Sequence, residues 1–147
     1  MIILTGGAGM IGSMVAWHLN NEMNFNDFVI VDDLVNEQQE YNFNKRDFVE
    51  YIKKDDLKKY LNKKQNISAV IHMGAISATT ESNFNRLLES NIRFSQQLWH
   101  WCAKNKVPFI YASSAATYGD GSFNYNDNEL ELDQLNPLNA YGYSKHF

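Results

Sequence analysis

A tyrosine and a lysine late in the sequence, Tyr141 and Lys145, stand four residues apart. In a helix this spacing places both side chains on one face. An ammonium group beside a phenol favours the phenolate, so it lowers the phenol's pKa from about 10 towards neutrality. The pair could then take a proton from a hydroxyl group, and Ser114 could hold that hydroxyl in place. Because a Tyr-x-x-x-Lys spacing is common by chance, the surrounding elements decide what these three residues do.

A glycine-rich turn follows a short apolar run at the start of the sequence. Gly7, Gly9 and Gly12 fit the G-x-G-x-x-G spacing, and Gly6, Gly9 and Gly12 fit a wider one. We expect a buried strand to enter this turn and a helix to begin at about Met10. The free N–H groups and the positive dipole end of that helix could hold a phosphate. No Gly-Lys-Ser/Thr follows, so the turn is not a P-loop. It favours dinucleotide binding over a plain strand-to-helix turn.

A second apolar run ends in Asp32 and Asp33, about twenty residues past the glycines. A carboxylate at this place can accept hydrogen bonds from the ribose hydroxyls of an adenosine. Asp32 could instead be a solvated acid at a strand end, but the preceding glycine turn favours the ribose contact. Lys53 or Lys54, at the start of a short basic helix, could reach a 2′-phosphate if the cofactor is NADP.

Apolar runs and amphipathic stretches alternate along the chain. We expect strands at 1–4, 28–31, 48–52, 69–75 and 107–112, and helices from about residue 10, over 53–64, over 84–105 and from about residue 141. This alternation predicts a doubly wound parallel sheet, an α/β fold of the Rossmann NAD(P)-binding type. In that fold the carboxyl ends of strands four and five face the crevice of the glycine turn. Ser114 and the Tyr141–Lys145 pair should therefore meet there.

The helices carry apolar stripes that should face the sheet. The first stripe contains Ile11, Met14, Val15 and Leu19, and the stripe of the long helix contains Phe84, Leu87, Leu88, Ile92, Leu98, Trp99 and Cys102. Asn91 interrupts the second stripe, and a buried amide must find hydrogen-bond partners. Asn91 is therefore a candidate for ordering the site, with a purely structural role as the alternative. His72 could likewise be an ordinary buried strand residue.

The composition limits the classes of protein that the chain can belong to. Its 147 residues suffice for one core and one domain. The net charge of −4 argues against a dedicated nucleic-acid-binding protein. The single cysteine fits a reducing compartment, no apolar run is long enough to span a bilayer, and no signal peptide is visible. We expect a cytoplasmic protein with no nucleic-acid or membrane partner. No ligand set at metal spacing accompanies His18, so we expect no metal site.

Several motifs together resemble a known family. Residues 5–12, Ser114 and the stretch 139–145 resemble the extended short-chain dehydrogenase/reductase superfamily, most of whose members are nucleotide-sugar epimerases and dehydratases. Two further stretches, 77–81 and 111–119, are more specific. Together with 139–145 they resemble the ADP-heptose 6-epimerases within that superfamily. The resemblance covers the whole chain, and it implies an isomerase whose substrate is a nucleotide sugar.

The resemblance also implies roles for individual residues. The cofactor would be NADP, with NAD as the alternative. Tyr141 would be one acid/base, with Ser114 as its partner and Lys145 beside it. The cofactor would be held by Gly6, Gly9, Met10, Ile11, Gly12, Asp32, Asp33, Lys54, Met73, Gly74, Ala75, Ile76, Ser77, Asn91 and Lys145. The family oxidises C6 of the sugar and returns hydride to the other face, in the synthesis of a lipopolysaccharide core precursor.

Enzymes of this family are about twice as long as the chain. The sequence stops about one turn into a helix, so we expect residues 1–147 to be the dinucleotide-binding domain of a truncated protein. A second catalytic lysine and a substrate domain would lie beyond it, and the full-length protein would be a homo-oligomer. Two alternatives stay open. One is an epimerase or dehydratase acting on another nucleotide sugar, and the other is a non-catalytic dinucleotide-binding module.

Overall fold

Five parallel strands form one sheet in the order β3-β2-β1-β4-β5. The computed structural model describes residues 1–63 and 66–146. The strands are β1 Ile2–Thr5, β2 Phe28–Asp32, β3 Glu50–Lys53, β4 Ala69–His72 and β5 Phe109–Tyr111. The predicted α/β fold with a parallel sheet is confirmed. The predicted fourth and fifth strands were too long, since β4 ends at His72 and β5 covers only three residues.

The helices alternate with the strands. They are α1 Met10–Asn21, α2 Glu37–Asn44, α3 Leu57–Leu61, α4 Phe84–Leu87, α5 Phe94–Asn105 and α6 Ala140–His146. A π-helical turn, Leu88–Arg93, joins α4 to α5, and 3₁₀ turns cover Lys54–Asp56, Ala115–Tyr118 and Glu129–Gln134. The helix predicted over 53–64 is thus a 3₁₀ turn followed by α3, and its last residue lies outside the described ones. No helix among the described residues is long and apolar enough to cross a membrane.

The chain divides into two units. The first unit comprises residues 1–74 and 99–111 and contains the whole sheet. The second unit comprises residues 75–98 and 112–147, and it contains α4, the π turn, the start of α5, and α6. The predicted site residues are therefore divided between the two units. The glycine turn and the two aspartates belong to the first, and Ser114, Tyr141 and Lys145 belong to the second.

The core of the first unit is built on both faces of the sheet. On one face, Leu4, Phe28 and Ile30 pack with Ala16 and Leu19 of α1. Side chains alternate between the faces of a strand. The residues that alternate with these on the opposite face are also buried, namely Ile3, Val29, Val31 and Val70. Burial on both faces explains why these strands read in the sequence as continuous apolar runs.

The face of α1 that packs inward differs from the predicted stripe. Ile11 and Met14 were expected to face the sheet, but they are 59% and 55% exposed. A side chain at Gly12 would lie 2.0 Å from the carbonyl oxygen of Gly6, so α1 approaches the glycine turn too closely for a larger residue. Small residues therefore occupy much of the buried face, which consists of Gly12, Ser13, Ala16 and Leu19.

Helix α2 lies in a polar stretch for which we predicted no structure. The Asn36 side chain caps it by accepting a hydrogen bond from the backbone N–H of Gln39, at 3.0 Å. The ring of Phe43 stacks on Tyr51, with ring centres 5.6 Å apart. Since one aromatic residue provides most of its packing, α2 has no apolar stripe that a sequence pattern would reveal. The Asn-x-x-Gln spacing at its start was the available signal.

The long helix predicted over 84–105 exists, but the π turn interrupts it. Leu87, Leu98 and Cys102 of the predicted stripe are buried, whereas Phe84 is exposed and Trp99 is 54% exposed. A π turn has a longer hydrogen-bond span than an α turn, so it shifts the phase of the residues that follow. For this reason a stripe drawn with one constant period does not hold along the whole helix.

Candidate functional site

Three glycines of the turn, Gly6, Gly7 and Gly12, are required by contacts inside the first unit. A Cβ on Gly7 would lie 2.7 Å from Cγ2 of the buried Ile30. Gly6 has a φ of +70°, and a Cβ added there would lie 2.5 Å from the backbone nitrogen of Gly74. A Cβ on Gly12 would collide with Gly6, as described above. Gly9 is different, because an added Cβ would meet only the carbonyl oxygen of Gly6, at 3.3 Å. This contact is tight but much less severe than the one at Gly12, so packing requires a glycine less strictly at position 9. A ligand that approaches the backbone closely there would be a further reason for glycine.

The start of α1 is open to an anion. Gly9 is its N-cap and supplies no side-chain hydrogen bond, and the first turn contains no acidic residue. Among the described residues we find no acceptor for the N–H groups of Met10, Ile11 and Gly12. Three free N–H groups and the positive end of a 12-residue helix suit a pyrophosphate. The chain's own atoms therefore fit the predicted phosphate site.

Asp32 ends β2 beside this turn and holds it in place. One carboxylate oxygen accepts the N–H of Ala8 at 2.9 Å, and the other accepts the N–H of Asp33 at 2.9 Å. From α2, the side chain of Asn42 donates to the carbonyl oxygen of Ala8 at 2.8 Å. Burial raises the pKa of Asp32, while the two N–H groups work in the opposite direction. Besides the predicted contact with ribose, Asp32 thus has a role in shaping the turn that we did not predict.

Asp33 and Lys54 form an ion pair at the same edge of the first unit. The Lys54 ammonium lies 3.5 Å from a carboxylate oxygen of Asp33, and the backbone N–H of Lys54 donates to the other oxygen at 3.3 Å. Both side chains are partly exposed, so the pair adds little to stability. The lysine is held near the end of β2, where a 2′-phosphate on an adenosine ribose would lie.

The end of β4 is fastened to the glycine turn through Thr5. The Thr5 hydroxyl accepts the N–H of Gly74 at 3.2 Å and lies 2.5 Å from Nδ1 of His72. His72 is fully buried and its ring stacks near Tyr111. The structural alternative for His72 is therefore the one that the geometry supports. Met73 and Gly74 of the predicted cofactor segment belong to the first unit, and residues 75–77 belong to the second.

In the second unit, Asn91 is 1% exposed and fully hydrogen-bonded. Its Oδ1 accepts the N–H of Ile76 at 2.8 Å. Its Nδ2 donates to the carbonyl oxygen of Ile76 at 3.0 Å and to the hydroxyl of Ser144 at 2.8 Å. Asn91 therefore fixes both the predicted cofactor segment at Ile76 and helix α6. The predicted role of Asn91 in ordering the cofactor site stays a prediction, and Ser144 is a partner that the sequence reasoning missed.

Ser114 precedes the 3₁₀ turn Ala115–Tyr118 and caps it, since its hydroxyl accepts the N–H of Ala116 at 3.2 Å. Helix α6 packs closely on this turn. A Cβ on Gly142 would lie 2.8 Å from the carbonyl oxygen of Ala116, and a Cβ on Gly119 would lie 2.0 Å from the carbonyl oxygen of Asn136. Both glycines lie in stretches that carry the resemblance, but we did not predict their packing, although Gly142, as a glycine inside a helix, is itself a signal of close packing.

Helix α6 carries the predicted acid/base pair. Tyr141 is half-buried, and Lys145 is 6% exposed. Burial lowers the pKa of Lys145 to about 8, because the charged ammonium loses hydration inside the protein. A lysine with this pKa is still mostly protonated at pH 7, so it can stabilise a nearby negative charge. The structure thus places Ser114, Asn91, Tyr141 and Lys145 on packed elements of one unit.

The residues that the structure describes form no candidate metal site. They contain no group of three or more His, Cys, Asp or Glu side chains that could hold a metal ion. The polar residues predicted for the site are instead hydroxyls, one amide, two aspartates and lysines, which can recognise phosphates and sugars.

A parallel sheet in this order, with a glycine turn between β1 and α1, defines a Rossmann-type α/β fold. The chain belongs to the NAD dependent epimerase/dehydratase family, whose model matches residues 2–147. A curated relative from Fusobacterium nucleatum, named ADP-L-glycero-D-manno-heptose-6-epimerase, is 52% identical over 100% of this chain and 46% of its own length. The chain therefore spans about half the length of the curated relatives that it matches.

Two solved structures show the same fold. The Helicobacter pylori ADP-L-glycero-D-manno-heptose-6-epimerase superposes with a TM-score of 0.78 at 26% identity, over 98% of this chain and 46% of that one. The Bacillus cereus UDP-glucuronic acid 4-epimerase in complex with NAD gives a TM-score of 0.79 at 28% identity, over 98% and 48%. The family and this complex support a nicotinamide dinucleotide as cofactor, without distinguishing NADP from NAD.

Proposed function

We propose that the whole protein is a nucleotide-sugar epimerase that inverts C6 of ADP-glycero-manno-heptose. The observation that carries the reaction class is the packing of α6, with Tyr141 and Lys145, against the turn that Ser114 caps. Similarity to a heptose epimerase over the whole chain supports the choice of sugar. The second base and the substrate domain would come from further residues of the full-length protein.

The glycine turn, Asp32 and Lys54 are the residues that would hold the cofactor in the first unit. The open N-terminus of α1 would bind the pyrophosphate, and Asp32 would accept hydrogen bonds from the adenosine ribose. A bound nicotinamide dinucleotide would supply the hydride acceptor and donor that a redox-neutral epimerisation requires. In the second unit, Ile76 and Asn91 mark the segment that we propose for contact with the remainder of the cofactor.

We propose NADP as the cofactor, because Lys54 could exchange Asp33 for a 2′-phosphate. NAD is the second candidate, and Asp32 is the observation that favours it. A carboxylate that accepts from ribose hydroxyls repels a phosphate placed on the same ribose. Mass spectrometry of the cofactor released from the purified full-length protein distinguishes the two.

Tyr141 and Ser114 would bind the reacting hydroxyl group of the substrate and transfer its proton. Ser114 would hold the C6-side hydroxyl by hydrogen bonding, and the phenolate of Tyr141 would take its proton as the carbon is oxidised. When hydride returns to the other face of the carbon, the proton would come from the second acid/base in the rest of the full-length protein. The hydride acceptor is regenerated in this step, so no external redox partner is needed. The ammonium of Lys145 would stabilise the phenolate, which limits this role to pH values at which Lys145 stays charged.

We also propose a cytoplasmic homo-oligomer. Size-exclusion chromatography with light scattering on the full-length protein tests the oligomer.

The activity is tested by incubating one C6 epimer of ADP-glycero-manno-heptose with the purified full-length protein and following the sugar by NMR. We expect both epimers to appear, without loss of water and without added cofactor. A dehydrated product, or turnover only of hexose nucleotides, would identify another member of the family. Cofactor binding without any turnover would identify a non-catalytic binding module.

A further inference from the structure

Ser144 is a buried hydroxyl that the proposed reaction does not use. It lies between Tyr141 and Lys145 on α6 and is 1% exposed. Its Oγ donates to the carbonyl oxygen of Tyr141 at 2.7 Å and accepts from Nδ2 of Asn91 at 2.8 Å. The first bond is local to α6, whereas the second joins α6 to the π turn, 53 residues away in the sequence.

The partner of Ser144 is itself held rigidly. Ile76 binds the side-chain amide of Asn91 through both its N–H and its carbonyl oxygen. The hydroxyl of Ser95 donates to the backbone carbonyl oxygen of Asn91 at 2.5 Å. Because side chain and backbone are both fixed, Asn91 offers Ser144 a donor at a defined position. A displacement of α6 would break this bond.

A second contact fixes α6 from another side. Gly142 lies against Ala116 and Pro137, each so close that a Cβ would come within 2.8 Å. Gly142 and Ser144 are two positions apart, which separates their directions by about 200° around a helix. Contacts on nearly opposite sides determine how far α6 can shift or rotate about its axis.

We propose that Ser144 is a positioning residue whose bond to Asn91 sets the rotation of α6 and thereby the places of the Tyr141 and Lys145 side chains. The proposal rests on the proposed function for what Tyr141 and Lys145 do, but the geometry it describes belongs to the chain itself. Loss of the hydroxyl would leave the Asn91 amide with one acceptor fewer in a buried place and would let α6 rotate. Water would then reach Lys145.

The test uses the full-length protein with its cofactor and the variants Ser144→Ala and Ser144→Thr. Competitive labelling with acetic anhydride over a range of pH, read by peptide mass spectrometry, gives the pH midpoint at which Lys145 becomes reactive. We expect Ser144→Ala to raise this midpoint by about 0.5 pH unit or more, which corresponds to a roughly threefold change in the proton affinity of the amine. Ser144→Thr keeps the hydroxyl and should restore most of the wild-type midpoint.

Two additional variants separate the proposed effect from a failure to fold and from a loss of stability alone. Ser144→Cys keeps the volume but is a weak hydrogen-bonding group, so it should shift the midpoint in the same direction even if the alanine variant does not fold. Ser13→Ala removes a similar bond, since Ser13 is buried and donates to the carbonyl oxygen of Met10 at 3.0 Å. Its change in thermal unfolding measures what losing such a bond costs in stability alone.

A wild-type midpoint for Lys145 in the folded alanine or cysteine variant would overturn the proposal. So would a threonine variant that shifts the midpoint as far as alanine does. The labelling experiment does not depend on catalytic turnover. It can therefore contradict the proposed role of Ser144 without contradicting the proposed epimerase function, and the activity assay can do the reverse. A wild-type protein that does not interconvert the epimers would refute the proposed function and leave the role of Ser144 open to the same labelling test.

Discussion

The glycines of the first turn differ in what they do. Gly12 must be small because the carbonyl oxygen of Gly6 occupies the space that its Cβ would need. Gly9 has ordinary extended backbone angles, with a φ of −74° and a ψ of 171°, and an added Cβ would make one tight contact, 3.3 Å from the carbonyl oxygen of Gly6. The glycine spacing in the sequence does not distinguish Gly9 from Gly12. The structure separates a glycine that packing requires strictly from one for which a close ligand would be a further reason.

This contrast predicts different effects of two alanine substitutions. Without cofactor, Gly12→Ala should cost about 1–3 kcal/mol of unfolding free energy because the added methyl group overpacks the turn. Gly9→Ala should cost clearly less than Gly12→Ala, about 1 kcal/mol or less, because its one tight contact with the Gly6 carbonyl oxygen is relieved by a small shift. With NADP or NAD added, Gly9→Ala should lose most of the thermal stabilisation that wild type gains. Scanning calorimetry with and without cofactor measures both effects, and normal stabilisation of Gly9→Ala would contradict the account of this site.

Lys145 predicts a dependence of stability on pH. Burial lowers its pKa to about 8, while the ordinary pKa of a lysine, which applies in an unfolded chain, is 10.5. Between these values the unfolded chain binds a proton that the folded chain has released, so the unfolding free energy gains a contribution that rises with pH. Lys145→Met should remove this contribution. Urea unfolding at several pH values between 8 and 10.5 measures it.

The exposed Lys104 in the last turn of α5 provides the control for that measurement. Lys104→Met should leave the rise with pH in place. If Lys145→Met and wild type showed the same slope over this range, Lys145 would not be buried in the way described.

At the scale of elements, the sequence predicts what depends on local pattern and fails where tertiary contacts decide. The strands were predictable because both faces of the sheet are buried, which gives runs such as 28–31. The inward face of α1 was not, because small residues let it approach the turn. The π turn was not predictable either, since the hydrogen bonds of Asn91 involve Ile76 and Ser144, which are distant in the sequence. For the candidate site, the residue types and the motif spacing could be predicted from the sequence. The hydrogen bonds that hold these residues in place could not.

The π turn predicts a large effect of a single substitution. Asn91→Leu should cost about 2 kcal/mol or more of unfolding free energy, because Ile76 loses its partners for both backbone groups in a partly buried place. Asn85→Ala, at an exposed position of the adjoining α4, should stay within about 0.5 kcal/mol of wild type. Urea unfolding of both variants compares them. Equal stabilities would show that Asn91 does not organise the second unit.

At the scale of the whole molecule, we propose that the chain supplies the residues for cofactor binding and for one proton transfer. It spans 46% of the length of the F. nucleatum relative. A complete epimerisation also needs recognition of the sugar and a base for the other face, which we assign to the rest of the full-length protein. The family follows from the match over residues 2–147, and the particular substrate is the proposal that an assay must decide.

The most direct test of the central claim compares the full-length protein with its Tyr141→Phe variant, both with cofactor bound, on a single C6 epimer of ADP-glycero-manno-heptose. Wild type should interconvert the epimers, and Tyr141→Phe should retain the cofactor but be slower by at least about a hundredfold, the usual scale of losing a general acid/base. A variant as fast as wild type, or a wild type with no turnover of either epimer, would contradict the account.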